Sequence, residues 1–338
     1  MRIALAGDGG LGYLLASQIS RAKSAHNVLV LSRTPKPIYE SLDIQVQIVD
    51  YFNPESLQYA LQGVDLVIST VSGREQINLI LAAGEGTVRH FVPAEFEGKL
   101  WQRPPWDGST AGSAHALALL ETFENRNLMK CTVFSCGVLM EIFHPLGLGS
   151  FDMGFRAGVS TPGSFLLDVA EATAEYVAQN AQGQPPSSIC LTSVYDLVHF
   201  VVLALELGLD AWPREFTLRG DRLSVQELVE TYGSARNGKL TPPCPVLVGR
   251  GKTNEFLYLV FYPAVTFSYV AQGYSSAQLF LTYYSQSRDE VKAGYYRRLM
   301  ATADGRYDFQ EATLNETLQN NHMMDFVPMT FAQWLDKI

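Results

Sequence analysis

The sequence predicts an α/β protein, a doubly wound parallel sheet followed by a smaller, interleaved α+β lobe. Three observations predict it. Over the first 136 residues, short Val/Ile/Leu-rich runs alternate with segments of helical period. Those runs are apolar almost without interruption, as strands covered on both faces must be. Past Gly137 the rhythm breaks into Gly-rich and Pro-rich connections with isolated elements between them. With 338 residues there is chain for two such units, which we draw at 1–145 and 146–338.

Strands are expected at 3–7, 28–32, 45–49, 66–70, 90–93 and 131–135, each a compact apolar run bounded by Gly, Pro or polar residues. Helices at 11–22, 54–62, 74–83 and 111–125 fill the gaps, with apolar residues recurring every three to four positions. In the second half 189–192 reads as a strand. Ser193 with Asp196 three residues on has the spacing of a capping box that opens an apolar helix running to Leu207. Residues 216–218 suggest another strand, Ser224 with Glu227 a second capping box, and 237–245 an exposed loop.

Only 17% of the residues are charged, against about 25% in an average soluble protein. The net charge is −9 and no basic run occurs, which disfavours nucleic acid or an anionic membrane as partner. Cys131, Cys136, Cys190 and Cys244 have no metal-ligand or redox spacing and read as free thiols in a reducing, cytoplasmic setting. No clustered His/Cys set offers a metal site. Much of the charge deficit lies in one block, 256–287, with 32 consecutive uncharged residues. A membrane span needs about 20 mostly apolar residues, but this run is broken by Pro263, Gly273 and several Ser and Gln, so a membrane span is disfavoured. Ten aromatic residues fall in the block, a composition suited to a core, an apolar small-molecule pocket or a homodimer interface.

The residues Gly7, Asp8, Gly9, Gly10, Leu11 and Gly12 follow the first strand and open the first helix, the context in which GxGxxG signifies dinucleotide binding. Glycines there allow the sharp turn, the approach of backbone to pyrophosphate and close helix–sheet packing. The helix N-terminus then offers amides and partial positive charge to phosphate. At the end of the second strand, where an NAD site carries an acid, stand Ser32 and Arg33, with Lys36 close behind. Cations suit a 2′-phosphate, so the expected cofactor is NADP(H). The alternative is that Arg33 is a solvated strand-end charge.

With Ser32-Arg33, the stretch Ser69 to Ser72, Gln76, the segment His90 to Gly98 and the strand end Val133 to Glu141, the chain resembles the NmrA-like and isoflavone-reductase-like branch of the atypical short-chain dehydrogenases. The resemblance implies a Rossmann domain in which Thr70, Val71, Ser72 and Gly73, with Gln76, and the loop Pro93, Ala94, Glu95 and Phe96 border the nicotinamide. It also implies a second lobe covering the substrate, the wall being assigned to Gly137, Val138, Met140, Phe143, Phe256, Tyr262 and Phe267. Two departures stand out. The 93–98 segment carries an extra residue, Glu97, before Gly98, and the lysine that the resemblance implies near position 113 is missing: there is none from Trp101 to Asn127. His115 and Lys99 are the candidate substitutes as proton donors, each with the plain alternative of a structural or surface role.

Hydride transfer to an electrophile that is already activated, such as an iminium ion or a polarised enone, needs no proton donor in the hydride step. The first expectation is therefore an NADPH-dependent oxidoreductase acting on a bulky apolar molecule of secondary metabolism. A redox-sensing regulator that signals to a protein partner, and a cofactor-assisted cyclase or isomerase, are the alternatives.

Overall fold

The computed structural model describes residues 1–102, 111–168, 173–177, 187–237, 256–262, 265–272 and 289–338. Six parallel strands form the central sheet: β1 (Arg2–Ala6), β2 (Asn27–Ser32), β3 (Gln45–Ile48), β4 (Leu66–Ser69), β5 (His90–Val92) and β6 (Lys130–Cys131), in the order β3-β2-β1-β4-β5-β6. The order reverses between β1 and β4, paired from Ile3↔Leu66 to Ala6↔Ser69. In such a sheet the crevice for a ligand opens there, at the carboxyl ends of the strands.

Strands β1 and β4 are buried on both faces because helices cover both. On one side lie α2 (Pro54–Ala60), α3 (Arg74–Gly84) and α4 (Ala111–Asn125), packing Leu57, Ile80 and Phe123 under Leu29 and Phe91. On the other side lies α1 (Gly10–Ile19), and with it α5 (Val194–Glu206) and α8 (Thr313–Asn320), whose Val201 and Leu314 join Leu15 and Val30 in one core. Two helices from the second half of the chain thus complete the first half's core.

The expected strand at 131–135 is divided. Thr132 donates its amide to Phe91 O (3.1 Å), whereas Val133 donates to Arg214 O (3.0 Å), so the chain changes partners at Thr132. Beyond it β7 (Val133–Ser135) pairs in parallel with β12 (Glu215–Thr217). Strand β8 (Val138–Leu139) joins β11 (Ile189–Thr192), which in turn pairs with β13 (Asp221–Leu223). The described part of the uncharged block is an antiparallel pair, β14 (Phe256–Tyr262) and β15 (Val265–Gln272), attached to β10 (Thr173–Tyr176) and β9 (Leu167–Asp168). Residues 273–288 and the expected loop from 238 onward lie outside the described residues. A second core unites Met140, Phe143 and Phe165 with α6 (Val225–Asn237), α7 (Glu290–Ala303) and α9 (Phe331–Leu335).

The two expected capping boxes differ. Ser224 and Glu227 exchange both hydrogen bonds (2.8 and 3.1 Å). At α5 the Ser193 hydroxyl accepts from Tyr195 N (3.3 Å), but Asp196 turns away to accept Met329 N (2.7 Å). The buried Glu141 replaces it, accepting from Val194 N and from the Ser193 hydroxyl (2.9 Å each). Among the described residues no helix is long and apolar enough to cross a membrane.

Candidate active site

The glycines of the first turn are required by close approach. Gly7 has φ +105°, and a Cβ on it would run into the Thr70 hydroxyl; one on Gly12 would meet Gly7 O. Thr70 donates both its amide (2.7 Å) and its hydroxyl (3.0 Å) to Ala6 O, clamping the turn to the end of β4. Helix α1 begins without a side-chain cap, and among the described residues the amides of Leu11 and Gly12 have no backbone acceptor. The Gly10 amide donates to Asp152 O (3.1 Å), and a Cβ on Gly10 would collide with Phe151 O. The short 3-10 turn Leu148–Phe151 of the second half therefore lies directly on the helix N-terminus.

At the end of β2, Ser32 is buried and its hydroxyl lies 2.8 Å from the Asp8 carboxylate, while Lys36 Nζ pairs with the same carboxylate at 2.8 Å. Partial burial alone would raise the Asp8 pKa, but hydrogen bonds from Lys36 and Ser32 and the Lys36 charge together hold it below the usual carboxylate value. Arg33 is exposed. Beneath them Tyr39 is fully buried, its hydroxyl has no hydrogen-bond partner, and burial, then the charges of Asp8, Tyr13 and Asp152, push its pKa up to about 12. The sequence names Asp8 as a cofactor-site residue through the glycine run, but its place beside Ser32 and Lys36 at the end of β2 comes only from the structure.

The other end of the crevice is built by two loops. The first runs from Thr70 to Gly73, where the Ser69 hydroxyl donates to Val71 O (2.9 Å) and Gly73 takes φ +72° before α3. The second runs from Pro93 to Phe96. Gln76 ties them: buried on α3, its Oε1 accepts the Ala94 amide at 2.7 Å. Glu95 is buried, and Phe96 stacks on Phe134 at 6.4 Å between centroids. The extra Glu97 has a structural use, since both its carboxylate oxygens lie 2.7 Å from Nη2 of the buried Arg306. Lys99 follows, half-buried, and His115 is exposed on α4.

Of the residues assigned to the substrate wall, Met140 and Phe143 are corrected. Met140 is buried in the second core, and Phe143 packs there against Phe165 (6.1 Å) and Phe331 (5.5 Å); Met140 and Phe143 both belong to the short 3-10 turn Met140–Phe143, which is buried throughout. Val138 is buried in register with Leu191, and Gly137 (φ +73°) passes against Cys190. Phe256, Tyr262 and Phe267 belong to β14 and β15, and their side chains lie outside what is described. Sequence reading missed Arg156, which reaches across the crevice to Ser72 O (2.8 Å) and to both oxygens of Glu75. Hydrogen bonding from Arg156 draws the Glu75 pKa down to about 2.

Among the described residues no group of His, Cys, Asp or Glu could hold a metal ion. A groove of about 680 Å³ lined by Arg21, Lys23, His199 and Glu206 lies toward the opposite end of α1, away from the glycine turn. What the crevice fits is a dinucleotide. Glycines that tolerate no Cβ, uncommitted helix amides, paired side chains at the β2 end and an orphaned tyrosine hydroxyl are the features a phosphate-rich, extended ligand would use.

Residues 7–114 match a family model described as NAD(P)H-binding. Oxidoreductase BOA1 of Botryotinia fuckeliana is 25% identical over 258 residues, covering 71% of this chain and 77% of that protein. The isoflavone reductase homolog A622-like of Nicotiana tabacum is 35% identical over 103 residues, which span 26% of this chain and 33% of the relative. A crystal structure of isoflavone reductase superposes with TM-score 0.66 at 17% identity, covering 99% and 98% of the two chains, so the fold is shared throughout. The resemblance expected from the sequence landmarks is borne out.

Proposed function

We propose that this chain, an NAD(P)H-dependent oxidoreductase of the isoflavone-reductase-like kind, acts with NADP(H) on a bulky, weakly polar small molecule, polycyclic and enone-like or iminium-like, of secondary metabolism. The observation that carries the proposal is the Gln76–Ala94 hydrogen bond, which fixes the two loops at the crevice mouth relative to each other. When bound, NADPH supplies hydride from its nicotinamide ring. Every other task falls to the chain. The Leu11 and Gly12 amides would receive the pyrophosphate, Arg33 and Lys36 the 2′-phosphate, and Thr70–Gly73 with Pro93–Phe96 the nicotinamide end.

No lysine occurs between Trp101 and Asn127, and His115 is exposed. A substrate already short of electrons fits that arrangement, because a bound, oriented and desolvated pair then needs no acid in the hydride step. Lys99, half-buried just past the second loop, is the better placed candidate donor where the product needs a proton. The test is substrate-dependent oxidation of NADPH across a panel of polycyclic enones and iminium compounds. Turnover with at least one member is expected. Neither turnover nor a rise in melting temperature across the whole panel would overturn the reading.

One observation favours a second reading, a redox-sensing protein. The turn Leu148–Phe151 and Asp152 rest on the Gly10 amide, next to those that would receive the pyrophosphate, so binding would be coupled to the position of a second-lobe loop. A sensor must separate the oxidised from the reduced cofactor by affinity, which titrations with NADP+ and NADPH measure directly.

A further inference from the structure

The Asp8 carboxylate stands where the surrounding cations predict none. It belongs to the glycine turn after β1, yet it reaches sideways to the end of β2, 2.8 Å from the Ser32 hydroxyl and 2.8 Å from Lys36 Nζ. In this fold the last residue of β2 faces the adenosine ribose, and a carboxylate there accepts the 2′-hydroxyl of NAD. The acid is therefore present in the ribose site, delivered from the neighbouring strand. It also holds one of the two cations on which a 2′-phosphate would depend.

We propose that Asp8 is the specificity-determining residue of the adenosine end, competing with a 2′-phosphate for Lys36 and thereby weakening the preference for phosphorylated over unphosphorylated dinucleotide. The proposal rests on the reading of Arg33 and Lys36 as the phosphate-binding pair. Two bound arrangements follow from the geometry. With a 2′-hydroxyl in the site, Asp8 keeps Lys36 and accepts the ribose proton, so no charged contact is lost. With a 2′-phosphate, Lys36 must turn from Asp8 to the ligand, and the carboxylate is left facing a second anion. Exposed Arg33 can approach that phosphate from solvent whether or not Lys36 turns. Partial exposure of Lys36 and Asp8, 36% and 22% of their side chains, lets Lys36 move without opening the core.

The test is equilibrium binding of NADP+ and NAD+, followed by calorimetry, to the wild type, Asp8→Asn and Arg33→Asp. Asp8→Asn keeps the size and hydrogen-bonding shape of the side chain while removing its charge. It should tighten NADP+ by up to roughly fivefold, the scale of one solvent-screened charge pair, and leave NAD+ unchanged or weaker. An unchanged NADP+/NAD+ ratio in Asp8→Asn, including equal weakening of both, overturns the proposal. Arg33→Asp reports separately on the underlying reading, which fails if that variant weakens both dinucleotides equally. The same ratio measured with adenosine 2′,5′-bisphosphate against AMP probes the adenosine end alone, free of the loop on Gly10. If Asp8→Asn favours NADP+ but not the bisphosphate, the effect comes from elsewhere in the crevice and Asp8 is not the determinant.

Discussion

Gln76 and His90 are buried polar side chains that each answer to one neighbour. Gln76 holds the Ala94 amide, and replacing it with Leu strands a half-buried N–H, which costs on the order of 1 kcal/mol. Gln76→Leu should therefore lower urea-unfolding stability by about that amount and weaken NADPH binding as well. Gln76→Glu, which keeps an acceptor, should recover most of the affinity, and a Leu variant that binds like wild type would remove Gln76 from the site. His90 lies 2.9 Å from the Thr132 hydroxyl, edge-on to Trp212, and desolvation first, then the Lys130 charge, lower its pKa to about 4. The unfolded chain takes up that proton near pH 6.5, so stability is full above that value and falls as the pH drops toward 4. His90→Gln should flatten this part of the stability–pH profile; an unaltered slope would assign the slope to other groups. The sequence marks both residues only as part of a motif, because one hydrogen bond between separate segments leaves no periodic trace.

Helix α1 and the turn in front of it were legible as elements, down to the glycines. The turn lying on them was not. Leu148–Phe151 is separated from Gly10 by more than a hundred positions, and nothing local in either segment specifies that Gly10 donates to Asp152 O. A phosphate bound at this helix N-terminus would crowd that carbonyl, so cofactor binding should speed hydrogen exchange in 148–153, and equal exchange with and without NADP+ would contradict displacement. The Arg156 bridge holds the neighbouring segment to α3. With Glu75 held near a pKa of about 2 by Arg156, its stabilising contribution is present above the ordinary value of 4.5 and is lost as the pH falls from there toward 2. Glu75→Gln should remove that acid-range loss and raise exchange around residue 156 at neutral pH. The window lies below that of His90, so the two effects separate in one titration.

At the scale of the whole molecule the two halves of the chain are stitched together rather than joined end to end. Helices α5 and α8 complete the first core, Glu141 caps α5 from the far side of the chain, and Glu97 holds Arg306. Removing one partner of a buried pair costs about 3–5 kcal/mol. Glu97 is partly solvated, so Glu97→Gln should cost on the order of 2 kcal/mol in denaturant unfolding. Both halves should unfold in a single transition; separate transitions in the variant alone would show that this pair carries the coupling. The charge deficit also has a place. The described part of the uncharged block is a β-hairpin extending the β9–β10 pair.

The sequence by itself determined the parallel sheet, its helices and the glycine turn. Strand and helix periods and the steric demands of a tight turn are local properties that each segment carries alone. It also marked the loops after β4 and β5 as a pair. Only the tertiary structure decided which charge sits at the end of β2, what rests on the helix N-terminus and which of the expected wall residues are core. Asp8 meets Lys36 across two strands, Gly10 meets Asp152 across the crevice, and Phe143 turns into a core made by three later helices. Those outcomes depend on contacts between segments far apart in sequence, and the composition of a single segment does not encode its partner.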